Sequence, residues 1–112
     1  MNPLTLAFIG DAVMTLYERE RLVRAGDTKV DTLHKELSKR ICAATQSELF
    51  EKIKGKLDET ELEIAGRARN AKHHTMPKSC TPGEYRNATA LEAVIGYNYL
   101  RGNKSRIEEI TE

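Results

Sequence analysis

Two carboxylates stand in surroundings where a charged side chain is unusual. Asp11 is the only charged side chain before Glu18, and its neighbours along residues 4–17 are nearly all apolar. Glu92 is likewise the single charge of residues 87–97. Burying an ionised carboxylate costs several kcal/mol unless a cation or hydrogen bonds compensate it. Each acid therefore predicts either a basic partner, a raised pKa or a bound metal ion.

Small residues next to both acids favour a close crossing of two helices. Gly10 precedes Asp11, and Gly96 follows Glu92 by one turn, so another backbone or a ligand can approach both helices closely. If the helices cross there, the acids face each other and repel unless a cation lies between them. Oxygen ligands of this kind suit Mg²⁺, with Mn²⁺ as a substitute. A buried ion pair is the alternative, with these candidate partners: Lys39, Arg40, Arg67, Arg69 and Lys72.

A basic segment is the second candidate site. The net charge of the chain is only +1, but no acid occurs between Glu63 and Glu84. Such a segment predicts binding of nucleic-acid phosphates, although a solvated helix end followed by a loop would have the same composition. Asn70 suits either contact with a 2′-hydroxyl or a helix cap. The predicted RNA-binding residues are Arg67, Arg69, Asn70, Lys72, His73, His74 and Lys78.

The elements that must position these residues are all helices. No run alternates apolar and polar residues with β-branched enrichment, and aromatic residues make up only 5% of the chain. We predict one all-α domain over residues 1–112. The predicted helices span residues 3–25, 28–54 with a break near Cys42 to Thr45, 58–72, 81–101 and 104–111.

Capping residues support these boundaries. Thr81 with Glu84, and Asp58 with Glu61, have the spacing of capping boxes, and Asp27 or Thr28 can begin the second helix. Three glycines follow basic residues at predicted helix ends, where a left-handed residue is expected. These glycines are Gly26, Gly55 and Gly102.

The first helix is apolar nearly all round, which predicts a central position in the fold. Its helical spacing places one apolar stripe opposite Asp11. The stripe comprises Leu6, Ile9, Val13 and Leu16, whereas Leu4, Ala7, Phe8 and Met14 share the side of Asp11. A symmetric dimer would bury that second apolar side.

The lack of a recognisable targeting signal and the low cysteine content predict a cytoplasmic protein. The chain has no run of 18 apolar residues and no basic region at its start, which argues against a membrane span and a signal peptide. Two cysteines, Cys42 and Cys80, are too few for a disulfide framework. A zinc site made of His73, His74 and Cys80 is disfavoured because adjacent histidines rarely point at one metal.

The strings IGDAVM around Asp11 and ALEAVIGYNYL around Glu92 resemble the two halves of the ribonuclease III signature. The segment GRARNAK, the loop TMPK and the pair Tyr85-Arg86 resemble the mini-ribonuclease III subgroup, which has no appended double-stranded-RNA-binding domain. The resemblance covers nearly the whole chain. It implies a ribonuclease III-like endonuclease domain of five to six helices that forms a homodimer.

The resemblance also implies a function and its residues. It implies metal-dependent cleavage of double-stranded RNA that leaves 5′-phosphate and 3′-hydroxyl ends, with Asp11 and Glu92 as catalytic residues and metal ligands. In the subgroup the substrate is the precursor of the large-subunit (23S) ribosomal RNA, and a large-subunit ribosomal protein is a possible further partner. Leu4 and Phe8 are expected at the dimer interface.

The site departs from full-length ribonucleases III at two positions. Where those enzymes have two further carboxylates, this chain has Ala7 and Thr89, and Glu18 is about 10 Å from Asp11 along the helix axis. We expect water to complete the metal coordination, with Thr89 orienting one molecule. Two alternatives follow: an inactive RNA- or ribosome-binding module, and a helical protein-interaction domain whose acids form ion pairs.

Overall fold

Six α-helices make up the described part of the fold. The computed structural model describes residues 1–26, 28–72 and 77–111 and contains no β-strand within them, so the predicted all-α class is confirmed. A short 3-10 turn, Lys54–Lys56, follows the third helix. The helices are α1 (Pro3–Ala25), α2 (Val30–Ile41), α3 (Ala43–Ile53), α4 (Glu59–Asn70), α5 (Pro82–Leu100) and α6 (Lys104–Thr111).

Local sequence signals explain most helix ends. Both capping boxes are present, at Asp58 for α4 and at Thr81 for α5. The predicted break lies at Cys42, whose extended backbone separates α2 from α3. Lys29, rather than Thr28, occupies the N-cap of α2, and Asp27 lies outside the described residues.

The glycine predictions are confirmed at one position of three. Gly102 has φ +77°, the left-handed conformation expected after α5. Gly26 is extended instead, with φ 164°, and Gly55 lies within the 3-10 turn. The chain leaves α1 and α3 without a left-handed residue, so those two predictions are wrong.

The central helix is α5, not α1. It packs against α1, α3 and α4, and more than half of its residues are buried. Small side chains at Ala88, Ala90 and Ala93 let its neighbours approach closely, while Leu91 and Ile95 fill the core with no exposed surface.

The buried face of α1 differs from the predicted stripe. Leu6 and Val13 are buried as expected, but Leu16 is 60% exposed. Ala7 and Met14, predicted on the opposite side, are buried instead. The face that packs on α5 is centred on Gly10, because only a glycine lets the two backbones touch, and this rotates the helix away from the predicted orientation.

A buried glutamate attaches α6 to the rest of the bundle. Glu61 of α4 is 1% exposed, and Arg106 of α6 donates to both of its carboxylate oxygens, at 2.6 and 3.0 Å. Asn98 of α5 donates a third hydrogen bond at 2.8 Å. Burial by itself raises the pKa of Glu61, but the bonds from Arg106, the Asp58 backbone and Asn98 outweigh it and lower the pKa to about 2.

No helix in the described part of the chain is long and apolar enough to cross a membrane. Cys42 and Cys80 are free thiols.

Candidate active site

Two glycines allow a close approach of the two backbones where α1 crosses α5. A Cβ atom added to Gly10 would lie 1.8 Å from the carbonyl oxygen of Glu92. A Cβ atom added to Gly96 would lie 2.0 Å from the carbonyl oxygen of Leu6. The two backbones therefore touch on both sides of the crossing, which no residue with a side chain would allow.

This crossing brings the two lone acids together. Asp11 follows Gly10 directly, and Glu92 lies one turn before Gly96. Their carboxyl groups come within hydrogen-bond reach of each other. Asp11 is exposed to solvent, contrary to the expectation that it is buried, whereas Glu92 is half-buried. Burial, the hydrogen bond with Asp11 and the charge of Asp11 together raise the pKa of Glu92 to about 9.

The predicted alternative, a basic partner for the acids, is not realised within the described residues. None of the ion pairs found there involves Asp11 or Glu92. Arg40 and Lys39 pair with Glu18 and Glu36, respectively. No cation offsets the effect of Asp11 on the pKa of Glu92.

The donor set fits a hydrated divalent cation. Two carboxylates in contact, one of which retains a proton at neutral pH, form a place where a cation can replace that proton. No group of three or more metal-binding side chains occurs among residues 1–26, 28–72 and 77–111. Mg²⁺ commonly keeps several waters and uses one or two protein carboxylates, so two ligands suffice for it.

The positions of the two missing family carboxylates lie on the buried faces of α1 and α5. Ala7 is buried. The Thr89 side chain is also buried, and its hydroxyl donates to the carbonyl oxygen of Tyr85 at 2.9 Å. Glu18 accepts hydrogen bonds from Arg21 and Arg40, so it does not compensate for the missing ligands.

The predicted RNA-binding residues divide into exposed and inward-facing ones. Arg67, Asn70 and Lys72 line an open cleft together with residues 2–4 at the start of α1. Pro3 is eight residues before Asp11, so the cleft begins about 12 Å from the acids along α1. Lys78 is exposed in the turn before α5, while His73 and His74 lie outside the described residues.

Arg69 differs from the other residues of the basic segment. It is half-buried, and its Nη1 donates to the Oδ1 atom of Asn87 on α5. Its side chain is therefore directed toward the protein interior, although its type and position in the sequence predicted an RNA contact.

The two residues predicted at a dimer interface differ in exposure. Phe8 is 83% exposed, on the turn of α1 before Asp11. Leu4 is half-buried and lines the cleft with Arg67 and Lys72.

Two polar clusters centred on buried side chains were not predicted from the sequence. One is the Glu61 cluster described above, and the other is centred on Asn87. The signal that was available is the polarity of Asn87 and Asn98 at either end of a largely apolar stretch of α5. A buried amide requires hydrogen-bond partners, so each asparagine indicated a polar contact with another element.

Comparison with known proteins assigns the chain to a family. The Ribonuclease III domain family matches residues 4–103. The mini-ribonuclease 3 of Symbiobacterium thermophilum is 39% identical over 112 residues, which are all of this chain and 86% of that protein. The mini-ribonuclease 3 of a Thermoanaerobacter species is 44% identical over 112 residues, 100% of this chain and 79% of that protein.

A solved structure supports the fold. A crystal structure of a Fusobacterium nucleatum protein superimposes with a TM-score of 0.92 at 40% identity, covering 99% of this chain and 88% of that one. The sequence matches and the superposition both cover nearly the full chain. The chain therefore belongs to the ribonuclease III family of endoribonucleases, in the group of the mini-ribonucleases 3.

Proposed function

We propose that this protein hydrolyses double-stranded RNA with the help of a divalent cation, Mg²⁺ or Mn²⁺, held by Asp11 and Glu92. One observation carries the proposal: two carboxylates are in contact at a glycine-mediated crossing of α1 and α5, without a basic partner in the described residues. Such an arrangement costs stability when both acids are ionised, and binding a cation removes that cost.

The two acids have different parts in the proposed site. Asp11 is exposed and can reach a ligand from solvent, while half-buried Glu92 is fixed against the α1 backbone. The rigid crossing holds their oxygens in a constant relative position, which favours catalysis by orientation. When bound, a divalent cation supplies acidification of water and neutralisation of charge on the phosphate.

Hydrolysis accounts for the proposed products. A bond forms between the water oxygen and phosphorus, the bond from phosphorus to the 3′ oxygen breaks, and the 3′ oxygen gains a proton. The products carry a 5′-phosphate and a 3′-hydroxyl. In-line geometry requires that the phosphate backbone lie beside the acids, and exposure of Asp11 leaves room for it.

The basic segment is proposed to hold the RNA backbone. A-form RNA presents phosphates and 2′-hydroxyls more readily than bases, so exposed basic side chains and an amide can bind its backbone. Arg67, Asn70 and Lys72 in the cleft, with Lys78 before α5, provide these groups. His73 and His74 belong to the same proposed surface by their place in the sequence.

The finer features follow from similarity to the mini-ribonucleases 3. We propose the precursor of 23S ribosomal RNA as the substrate, with a large-subunit ribosomal protein as a further partner and the cytoplasm as the location.

A homodimer through Phe8 and Leu4 is part of the proposal, because Phe8 is an aromatic side chain that is 83% exposed near the acids, and a partner subunit would cover it. Sedimentation of Phe8→Glu should show a monomer; an unchanged dimer would remove Phe8 from the interface.

The decisive experiment is cleavage of a long RNA duplex by the purified protein with Mg²⁺, beside a chelator control. Glu92→Gln and Asp11→Asn should abolish cleavage while helical content is retained. Glu48→Gln, an exposed acid of α3 outside the site, is the matched control and should cleave normally.

Two outcomes would change the conclusion. Binding of RNA without cleavage in every metal tried would favour the inactive RNA-binding module. Normal cleavage by Asp11→Asn would remove Asp11 from the reaction.

A further inference from the structure

A polar cluster centred on a buried asparagine joins three helices on the side of α5 that faces α3 and α4. Its centre is Asn87, which is 8% exposed. The amide oxygen Oδ1 accepts from Nη1 of Arg69 in α4. The amide nitrogen Nδ2 donates to Ser47 Oγ at 3.0 Å and to Glu51 Oε1 at 3.1 Å, both in α3. These four residues are called the Asn87 cluster below.

The partners of Asn87 determine the orientation of its amide. Oδ1 faces a guanidinium, which can only donate, and Nδ2 faces the carboxylate of Glu51, which accepts when ionised. Hydrogen bonds from Lys54 and then from Asn87 lower the pKa of Glu51, so this carboxylate stays ionised at neutral pH. Rotating the amide by half a turn would place like groups against each other. The cluster therefore has one favourable arrangement.

The cluster also fixes the C-terminal turn of α4. Arg69 is the second-last residue of α4, and the exposed residues of the basic segment, Arg67, Asn70 and Lys72, surround it in the sequence. Within residues 64–72, no other side chain forms a hydrogen bond to another helix. Arg69 therefore adds a polar contact to the apolar packing of Ala65 and Ala68 that holds this end of α4 on the bundle.

The Asn87 cluster is also linked to the two acids, through helix α5. Asn87 lies five residues before Glu92 on the same helix, about 7.5 Å along its axis. That helix is held against α1 by backbone contact at Gly10 and Gly96, so it transmits the position of Asn87 rigidly.

We propose that Arg69 and Asn87 are positioning residues for RNA: they hold the basic segment in register with Asp11 and Glu92, and Arg69 does not itself contact the phosphates. This inference rests on the proposed function. It assigns a different role to Arg69 than to Arg67, although the sequence predicts an RNA contact for both.

The test is a double-mutant cycle on RNA affinity. The parent protein carries Glu92→Gln, which prevents cleavage during the measurement. Binding of a fluorescent RNA duplex is measured by fluorescence anisotropy for this parent and for three variants made in it: Arg69→Gln, Asn87→Ala and the combination of both. Each single change should weaken binding by about fivefold to tenfold, and the combination should be no weaker than Arg69→Gln alone, because the two residues act through one contact.

Arg67→Gln is the matched control, since it removes the same charge from an exposed residue two positions away. Combined with Asn87→Ala, its effect should multiply. Arg67→Gln should also reduce the slope of log Kd against log salt concentration by about one, as expected for the loss of one phosphate contact. Arg69→Gln should leave that slope unchanged, and a urea unfolding curve of the same variant shows whether the weaker binding comes from a smaller folded fraction.

Cleavage kinetics provide an independent measurement, made in the active protein that retains Glu92. Asn87→Ala should raise KM for RNA and change kcat by less than about twofold, since a positioning defect acts before the chemical step. Asn87→Ser, which keeps a hydroxyl to accept from Arg69, replaces the alanine variant if the latter does not fold.

Three results would overturn the inference. Unchanged affinity in Asn87→Ala, a multiplicative double variant, or a reduced salt slope in Arg69→Gln would each make Arg69 a direct RNA contact. If the parent Glu92→Gln chain binds no RNA, the proposed function fails and this inference fails with it; if the parent binds and the cycle is additive, only this inference fails.

Discussion

Glu61 and Glu92 are two glutamates withdrawn from water in the same helical bundle, and their environments shift their pKa in opposite directions. Glu61 is 1% exposed and has a pKa of about 2, while the less buried Glu92 has a pKa of about 9. Burial is therefore not what separates them. Glu61 accepts hydrogen bonds from Arg106 and Asn98, whereas Glu92 faces a second acid.

The difference separates a structural acid from a functional one. The partners of Glu61 compensate its charge fully, so it connects α4, α5 and α6 as part of the fold. The ionised form of Glu92 costs stability, because burial and the neighbouring charge of Asp11 both disfavour it. An arrangement that lowers stability and leaves one carboxylate open to solvent is typical of an active site.

The largest expected effect is a separation of activity from stability between the two glutamates. Glu92→Gln should reduce RNA cleavage by about a thousandfold or more with no loss of stability, since it removes a metal ligand and a carboxyl group whose ionised form the fold disfavours. Glu61→Ala should leave kcat nearly unchanged at low temperature but lower the free energy of unfolding by about 3 kcal/mol, because Arg106 loses its buried partner.

Cleavage rates and urea unfolding curves of both variants measure this separation. Loss of stability in Glu92→Gln, or loss of kcat in folded Glu61→Ala, would contradict the division of roles.

The second-largest effect is expected when the backbone contact between α1 and α5, which brings the two acids together, is removed. Gly10→Ala and Gly96→Ala should each lower the free energy of unfolding by about 3 kcal/mol, because the new Cβ would overlap backbone carbonyl atoms that cannot move aside. Gly66→Ala is the matched control: it lies within α4 and its Cβ would meet open space. It should stabilise the protein by up to about 1 kcal/mol.

Thermal or urea unfolding of the three variants is the measurement. If Gly10→Ala and Gly66→Ala had equal effects, the crossing would not depend on backbone contact.

A third effect concerns pH. The folded pKa of Glu92, about 9, lies above its ordinary value of 4.5, so the folded protein holds a proton that the unfolded chain has released. Without metal, its contribution to stability is complete below pH 4.5 and is lost as the pH rises toward 9. Glu61 behaves oppositely: its contribution is complete above pH 4.5 and is lost as the pH falls toward 2.

Unfolding curves across this range compare the parent with Glu92→Gln. The stability advantage of the variant should grow between pH 5 and pH 9, by an amount on the order of 2 kcal/mol. A constant difference at all pH values would show that the folded state does not raise the pKa of Glu92.

The smallest effect is stabilisation by metal. Mg²⁺ at ten times its Kd should raise the free energy of unfolding by about 1.4 kcal/mol. The increase should disappear in Asp11→Asn and Glu92→Gln but remain in Arg106→Gln, which disrupts only the Glu61 cluster. Calorimetry with and without a chelator distinguishes these cases, and equal stabilisation of all variants would place the metal elsewhere.

Local signals in the sequence were sufficient for the helices and for the two acids. The capping boxes at Asp58 and Thr81 and the break at Cys42 depend on residues close in the chain, so they could be predicted. Asp11 and Glu92 stood out because each is a lone charge in an apolar segment.

Contacts between helices could not be predicted in the same way. Leu16 has an apolar side chain at helical spacing, yet the backbone contact at Gly10 rotates α1 so that Leu16 faces solvent. Arg69 and Arg67 are alike in the sequence, and only the proximity of Asn87 on α5 separates them.

The sequence by itself determined which residues form helices, where most of them end and which two acids lack local partners. The tertiary structure decided which acid is exposed, which glutamate keeps its charge and which arginine faces inward. The reason is physical: helix propensity and capping act over a few neighbouring residues, whereas a pKa and a buried hydrogen bond depend on groups that meet only after the helices pack.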